Sequence, residues 1–195
     1  LKTLTLSGEG SAFCSGADLE YLRELKEFDE ERNAMDTIEL ARLYKKLYSF
    51  PVPVIAAVNG PAVAGGCGLA TVCDIVIATE NAVFGYPEVR IGFVAAIVSM
   101  FLIRQVGERK ARELLLTGRM LNAAEAERIG LINKVVPASQ LQREIRNWQK
   151  IFADNAPGAL RSTKELFENF SYKPIEEIIE IFTEINISVR KKPEF

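Results

Sequence analysis

Histidine is absent from this 195-residue chain. That removes the usual nitrogen ligand for a metal and the base of Ser-His and Cys-His nucleophilic sites. Cysteine is scarce as well: Cys14, Cys67 and Cys73 are odd in number and sit among apolar or small residues. A disulfide framework of the secreted kind is therefore not expected, and a reducing compartment is. Neither positive nor negative charge predominates, since the net charge is −2. Such a chain has no field that would gather nucleic acid or an anionic membrane. The uncharged stretch from Leu47 to Cys73 has the length of a membrane span, yet Pro51, Pro53, Asn59, Gly60, Pro61, Gly65, Gly66 and Gly68 interrupt it. A buried strand, a loop and a short helix fit it better, so no membrane span is expected. No signal peptide is visible, and the chain opens at Leu1 inside a strand-like run. Residues before Leu1 are expected, and a cytoplasmic location, with the mitochondrial matrix as the alternative.

What is present is the composition of one packed domain, 48% apolar and 26% charged. Leu1 to Leu6 reads as a strand, and Gly8-Glu9-Gly10 as a turn into the small-residue segment Ser11 to Ala17. From Asp18 to Tyr48 the spaced Leu22, Leu25, Ile38, Leu43 and Leu47 predict an amphipathic helix broken near Phe28 to Arg32. Pro53 to Val58 is uncharged and β-rich, as a strand buried on both faces should be, and it runs into the turn Asn59-Gly60-Pro61. Gly66 to Cys73 predicts a short buried helix, Asp74 to Ala78 a strand, and Val83 to Phe84 a brief strand before a turn at Pro87.

Thereafter Ala95 to Val106, Glu108 to Leu116, Ala123 to Ile129, Ser139 to Asp154, Gly158 to Phe170 and Ile175 to Val189 have helical periodicity, and only Leu131 to Val136 reads as a strand. This order predicts an α/β core over residues 1–136 and a helical C-terminal extension over 137–195. The stripe Ile175, Ile178, Ile179, Phe182 and Ile185 predicts an oligomer contact.

Three segments could carry chemistry. In Ser11-Ala12-Phe13-Cys14-Ser15-Gly16-Ala17-Asp18-Leu19 small residues let the backbone approach a ligand, and Asp18 can cap the following helix. A plain tight turn explains the same residues. Asn59 to Ala70 is a loop opening into a helix whose first N–H groups lack intrahelical partners; it serves ligand binding or close packing on a sheet equally well. It is neither a Walker A loop nor a dinucleotide fingerprint. In Phe84-Gly85-Tyr86-Pro87-Glu88-Val89-Arg90-Ile91-Gly92 one carboxylate lies between a rigid turn and an apolar run. Such surroundings suit proton transfer, while a helix-start or ion-pair role beside Arg90 is the plainer alternative.

Taken together these segments resemble the crotonase superfamily, the enoyl-CoA hydratases and isomerases. The resemblance covers nearly the whole chain: Ser11 to Leu19, the Pro53 to Gly66 strand and loop, Cys73 to Ala78, Phe84 to Val89, and Leu114 to Pro137. It implies a spiral of ββα units, a homotrimer or dimer of trimers, and an acyl-CoA thioester as substrate with no permanently bound cofactor. The N–H groups of Ala17 and Gly65 are implied to hold the thioester oxygen, with Ser15, Ala17, Asp18, Leu19, Gly65 and Gly66 contacting the substrate. Two fixed backbone donors stabilise an enolate without metal or histidine, which suits this composition.

The resemblance also implies a departure. Two-carboxylate hydratases carry Glu at the position of Gly68 and again at Glu88, and only Glu88 stands here. One carboxylate suffices for an isomerase. The Gly68 pattern and the segment Gly92 to Ser99 are nevertheless more similar to a hydratase branch acting on branched or carboxylated enoyl-CoAs, so hydration is favoured, with Δ3,Δ2-enoyl-CoA isomerisation as the alternative. A non-catalytic acyl-CoA-binding protein is the third possibility, against which Glu88 speaks. A ClpP-type protease, which shares the spiral, is excluded by the missing histidine. The family's N-terminal strands precede Leu1, and Ser188 to Phe195 joins a helix to a tail with a family segment omitted. The extension is implied to cover the CoA moiety.

Overall fold

The computed structural model describes residues 1–169, so the stripe at Ile175 to Ile185 and the segment at Ser188 to Phe195 lie outside the described residues. The elements follow in the order β1 (Leu4–Ser7), α1 (Leu19–Glu24), α2 (Glu30–Tyr48), β2 (Val54–Val58), β3 (Ala62–Val63), α3 (Gly65–Thr71), β4 (Ile75–Thr79), β5 (Val83–Gly85), α4 (Ala96–Thr117), β6 (Leu121–Asn122), α5 (Ala123–Arg128), β7 (Lys134–Val136), α6 (Leu141–Ala153) and α7 (Pro157–Asn169). A four-stranded parallel sheet runs β1-β2-β4-β7, and a smaller sheet runs β3-β5-β6.

Strand β2 is the centre of the molecule. All five of its residues are buried, as expected of a parallel strand covered on both faces. The period of two divides them cleanly: Val54, Ala56 and Val58 join the large core with Val76, Ala78, Leu102 and Leu114, while Ile55 and Ala57 join Ile77, Val136, Leu141 and Ile145 under α6. Asp74 fixes the start of this strand. Its carboxylate accepts from the Val54 N–H at 2.7 Å and also pairs with Lys164 of α7, so one side chain ties β2, β4 and the last described helix together.

Several sequence expectations change in detail. β3 and β6, two residues each, were not legible from periodicity. The strand expected over Leu131 to Val136 begins only at Lys134, because Gly130 turns the chain at φ 79° and Asn133 clamps Val76. The Asn133 side-chain oxygen accepts from Val76 N–H at 2.7 Å, and its own N–H donates to Val76 O at 2.9 Å. The two helices expected on either side of Gly107 run as one stack with a break at that glycine, whose φ of 75° and ψ of 159° are not helical. The break near Phe28 lies where expected, between a short 3-10 turn and α2, with Asp29 capping the second helix through the Arg32 N–H at 2.8 Å.

The buried face of α2 also differs from the expected stripe. Ile38 and Leu43 are exposed, and the residues that meet the core are Tyr44, Leu47 and Tyr48, spaced three and four apart. Only Tyr44 among the residues of α2 is buried.

Because Asp74 serves a backbone donor and a half-buried ammonium together, Asp74→Ala is expected to lower unfolding free energy by about 1–3 kcal/mol. Urea denaturation at neutral pH measures this; an unchanged midpoint would show that the Asp74 contacts contribute nothing net.

Candidate active site

Two loops form the floor of the site. Cys14 lies alongside Ala62 in a single parallel bridge: its N–H donates to Pro61 O at 3.1 Å and its carbonyl accepts from Val63 N–H at 2.9 Å. Asn59 locks the same pair of loops from below, its amide donating to Gly10 O at 3.0 Å while its oxygen accepts from Gly8 N–H at 3.2 Å. The approach leaves no room at Gly66, where a Cβ would stand 2.0 Å from Cys14 O. Glycine is therefore required there by the neighbouring backbone.

This pairing brings Gly16-Ala17 to Ala64-Gly65. A Cβ built on Gly16 would lie 3.2 Å from the Ala64 Cβ and 3.6 Å from Gly65 N. Among the described residues neither the Ala17 N–H nor the Gly65 N–H donates to any backbone or side-chain acceptor. Ala64, just before Gly65, has φ 52° and ψ −126°, a region that L residues avoid at a cost on the order of 1–3 kcal/mol. Its own N–H is held by Gly85 O at 2.9 Å, and β3 pairs with β5 immediately before it.

Glu88 occupies the short 3-10 helix Pro87–Ile91 that follows β5. It is half-buried, and its Oε2 is fully shielded with no hydrogen-bond partner among the described residues. Burial pushes its carboxyl above the ordinary value of 4.5, against a smaller pull from its own backbone N–H. Arg90 forms no ion pair with it among the described residues, so the plainer ion-pair role finds no support.

Beside Gly65 stands the hydroxyl of Tyr44, donating to Gly65 O at 3.0 Å. Burial, and then the nearby Cys14, Glu88 and Cys67, push this phenol up to about 12, so it is protonated at neutral pH. It fills the space over Gly68: a Cβ there would meet Tyr44 Oη at 2.9 Å and Val98 Cγ1 at 2.4 Å.

Of the residues named from sequence, Gly65 and Gly66 lie against the Cys14–Gly16 segment, which contains exposed Ser15 and leads directly into exposed Ala17. Asp18 caps α1, its Oδ1 accepting from Glu20 N–H at 2.7 Å and Tyr21 N–H at 3.2 Å. Leu19 is the first residue of that helix. Sequence reasoning missed Tyr44 and the strained Ala64. The only signal for Tyr44 was a polar-tipped ring within an aliphatic helix face, and an alanine gives no sign of a positive φ. No three His, Cys, Asp or Glu side chains gather as a metal site among the described residues, and no described helix is long and apolar enough to cross a membrane.

The profile of the enoyl-CoA hydratase/isomerase family matches residues 1–190. The chain belongs to that family. A Thermus thermophilus relative carrying an enoyl-CoA hydratase name is 48% identical over 166 residues, which is 85% of this chain and 66% of that protein. A Dictyostelium discoideum relative with a mitochondrial enoyl-CoA hydratase name is 38% identical, over 88% of this chain and 60% of its own length. The chain thus spans less than two-thirds of the length of these relatives. An enoyl-CoA hydratase structure from Shewanella pealeana superposes with a TM-score of 0.93 at 30% identity, covering 99% of this chain and 72% of that one. For one from Mycobacterium smegmatis the TM-score is 0.92 at 29% identity, with 98% and 74% covered. The fold is accordingly the crotonase one.

Two expectations follow, one from the packing over Gly68 and one from the burial of Glu88. Gly68→Ala forces Tyr44 and Val98 aside, and overpacking of this kind costs about 1–3 kcal/mol, more than the helix propensity gained by replacing glycine. A lower melting temperature measures it, and an unchanged one would mean the space over Gly68 is slack.

The second concerns pH. A carboxyl whose folded value is raised contributes stability in its protonated form, present below the ordinary value and lost as pH rises through the folded value. Glu88→Gln stays neutral, so its melting temperature should gain on that of the wild type as pH rises above the ordinary carboxyl value of 4.5. A constant difference over that range would show that burial does not strain the carboxylate.

Proposed function

We propose that this chain is the catalytic core of an enoyl-CoA hydratase that adds water to a branched or carboxylated 2-enoyl-CoA. The observation that carries the proposal is the buried, unpartnered Glu88 carboxylate oxygen, in a chain that also holds a loop junction with two unclaimed N–H groups. The thioester oxygen accepts from the N–H groups of Ala17 and Gly65. Ser15, Ala17, Asp18, Leu19, Gly65 and Gly66 contact the acyl-CoA.

Negative charge grows on the thioester oxygen as water attacks C3, and donors already in place lower that barrier because they need no reorganisation. Glu88 takes the proton released by the water and returns it to C2, so the water is added whole. A raised carboxyl value favours this exchange in both directions. The extension over 137–195 covers the CoA moiety and contributes to a homotrimer or dimer of trimers, placed in the cytoplasm or the mitochondrial matrix.

One observation favours a second reading. Gly68 supplies no carboxylate, and an isomerase needs only one: Glu88 would lift a proton from C2 of a 3-enoyl-CoA and deliver it to C4.

The test is Glu88→Gln. The amide keeps the shape and cannot take the proton, so hydration of a short 2-enoyl-CoA should fall by about 10²–10⁴-fold with thioester binding retained. Turnover near that of the wild type would remove Glu88 from the mechanism. A wild type that shifts the double bond and hydrates nothing would establish the isomerase, and one that binds thioesters without turnover would leave a binding protein.

A further inference from the structure

Gly65 is the least self-supporting residue of the candidate site, although its N–H needs a fixed direction to serve as a donor. It has no side chain, Gly66 follows it, and successive glycines leave the backbone free to swing. The strained Ala64 precedes it at φ 52°, and a conformation of that kind persists only where the surroundings hold it. α3 has seven residues, and so short a helix supplies little rigidity of its own. The Gly65 N–H points wherever the Ala64–Gly65 peptide plane points, and three hydrogen bonds fix the backbone on either side of that plane. Ala64 N–H donates to Gly85 O at 2.9 Å, and Gly68 N–H donates to Ala64 O at 3.0 Å. Both act on the Ala64 side. On the Gly65 side the Tyr44 hydroxyl donates to Gly65 O at 3.0 Å, and among the described residues it supplies the hydrogen bond that reaches Gly65 from outside α3.

Tyr44 is itself held firmly enough to act as an anchor. It is 2% exposed, and its oxygen lies over two glycines at once: a Cβ on Gly65 would stand 3.2 Å from Oη, and one on Gly68 would meet Oη at 2.9 Å and Cζ at 3.1 Å. With the phenol pushed up to about 12, the proton that makes the bond is present throughout the neutral range. A phenylalanine ring would pack over Gly68 in the same way and leave Gly65 O without this donor. We propose that Tyr44 is a positioning residue for the thioester site: by holding Gly65 O, its hydroxyl keeps the Ala64–Gly65 peptide in the strained orientation that leaves the Gly65 N–H free for the thioester oxygen. This rests on the reading above that Ala17 and Gly65 hold that oxygen, and it applies to hydration and isomerisation alike. Tyr44 touches no reacting atom and exchanges no proton in either reaction.

The test reads the carbonyl directly. Butanoyl-CoA carrying an isotope label at the thioester carbonyl carbon is bound to the protein, and its C=O stretch is followed by difference infrared spectroscopy, with thermal melting as the folding control. Hydrogen bonds to the oxygen weaken the C=O bond, so the band of the wild-type complex should lie below that of free butanoyl-CoA. In Tyr44→Phe it should move back toward the free position. A misaimed donor costs less than a lost one, so kcat for hydration of a short 2-enoyl-CoA should fall by roughly 10-fold, below the 10²–10³-fold typical of deleting an oxyanion donor. KM should stay near wild type, because the aim of the donor matters most where charge develops. Incorporating 4-aminophenylalanine at position 44, which restores a donor at the end of the ring, should recover both the band and the rate. Should Tyr44→Phe fail to fold, 4-fluorophenylalanine at the same position, which fills the place of the hydroxyl and donates nothing, decides in its stead. A band as low in the folded variants as in the wild type would overturn the proposal, leaving a structural tyrosine and an intact hydratase reading. A wild-type band unmoved by binding would overturn both this proposal and the assignment of Ala17 and Gly65. A wild type that lowers the band through Tyr44 and never hydrates would sink hydration alone and support the positioning role.

Discussion

The short pairing between Cys14 and the Pro61–Val63 segment is the constraint from which the candidate site follows. β1 and β2 are already held in parallel register, but a register between strands does not decide where their outgoing loops travel. The two backbone bonds at Cys14 do, and they carry Gly16-Ala17 to the start of α3. Asn59 holds the loops at one end and the contact of Cys14 O with Gly66 closes the other. No side chain of the junction needs to be large or charged, because the positioning is done by main chain against main chain.

That arrangement explains how a chain without histidine or a cluster of metal ligands among its described residues can offer strong electrostatics. Backbone donors are fixed by the fold and need no reorganisation when charge develops beside them. Glu88 gains its raised carboxyl value from its own burial. Thr71 and Tyr86 extend the polar network beneath, with their hydroxyls 2.5 Å apart in a buried position. The strained Ala64 sits between β3 and α3, its N–H held by Gly85 O, so the smaller sheet braces the entrance of α3.

Much of this was legible in the sequence. β2 announced itself because a strand covered on both faces is an uninterrupted apolar run, and Glu88 drew notice as the one carboxylate between Pro87 and a hydrophobic stretch, although Arg90 beside it offered an ion pair. Gly65 and Gly66 were legible as a place where backbone comes close. β3 and β6 were not, since two residues carry no period and their existence depends on the partner β5. The inward face of α2 was misread because aliphatic residues outnumber Tyr44 along it, and burial was decided by the helices it meets, with Tyr44 against α3 and Tyr48 against Phe101 of α4, and not by hydropathy. Tyr44 is also remote in sequence from Gly65 and Gly68, so nothing local could reveal that its oxygen ends over them.

The crowding over Gly68 has a bearing on ancestry. A Glu introduced there by one codon change would collide with Tyr44 and Val98 before it could help, and removing Tyr44 first would empty the space without supplying a carboxylate. Contacts this close make substitutions strongly interdependent. Any lineage that acquires a side chain at position 68 is therefore expected to carry a compensating change at position 44 or 98.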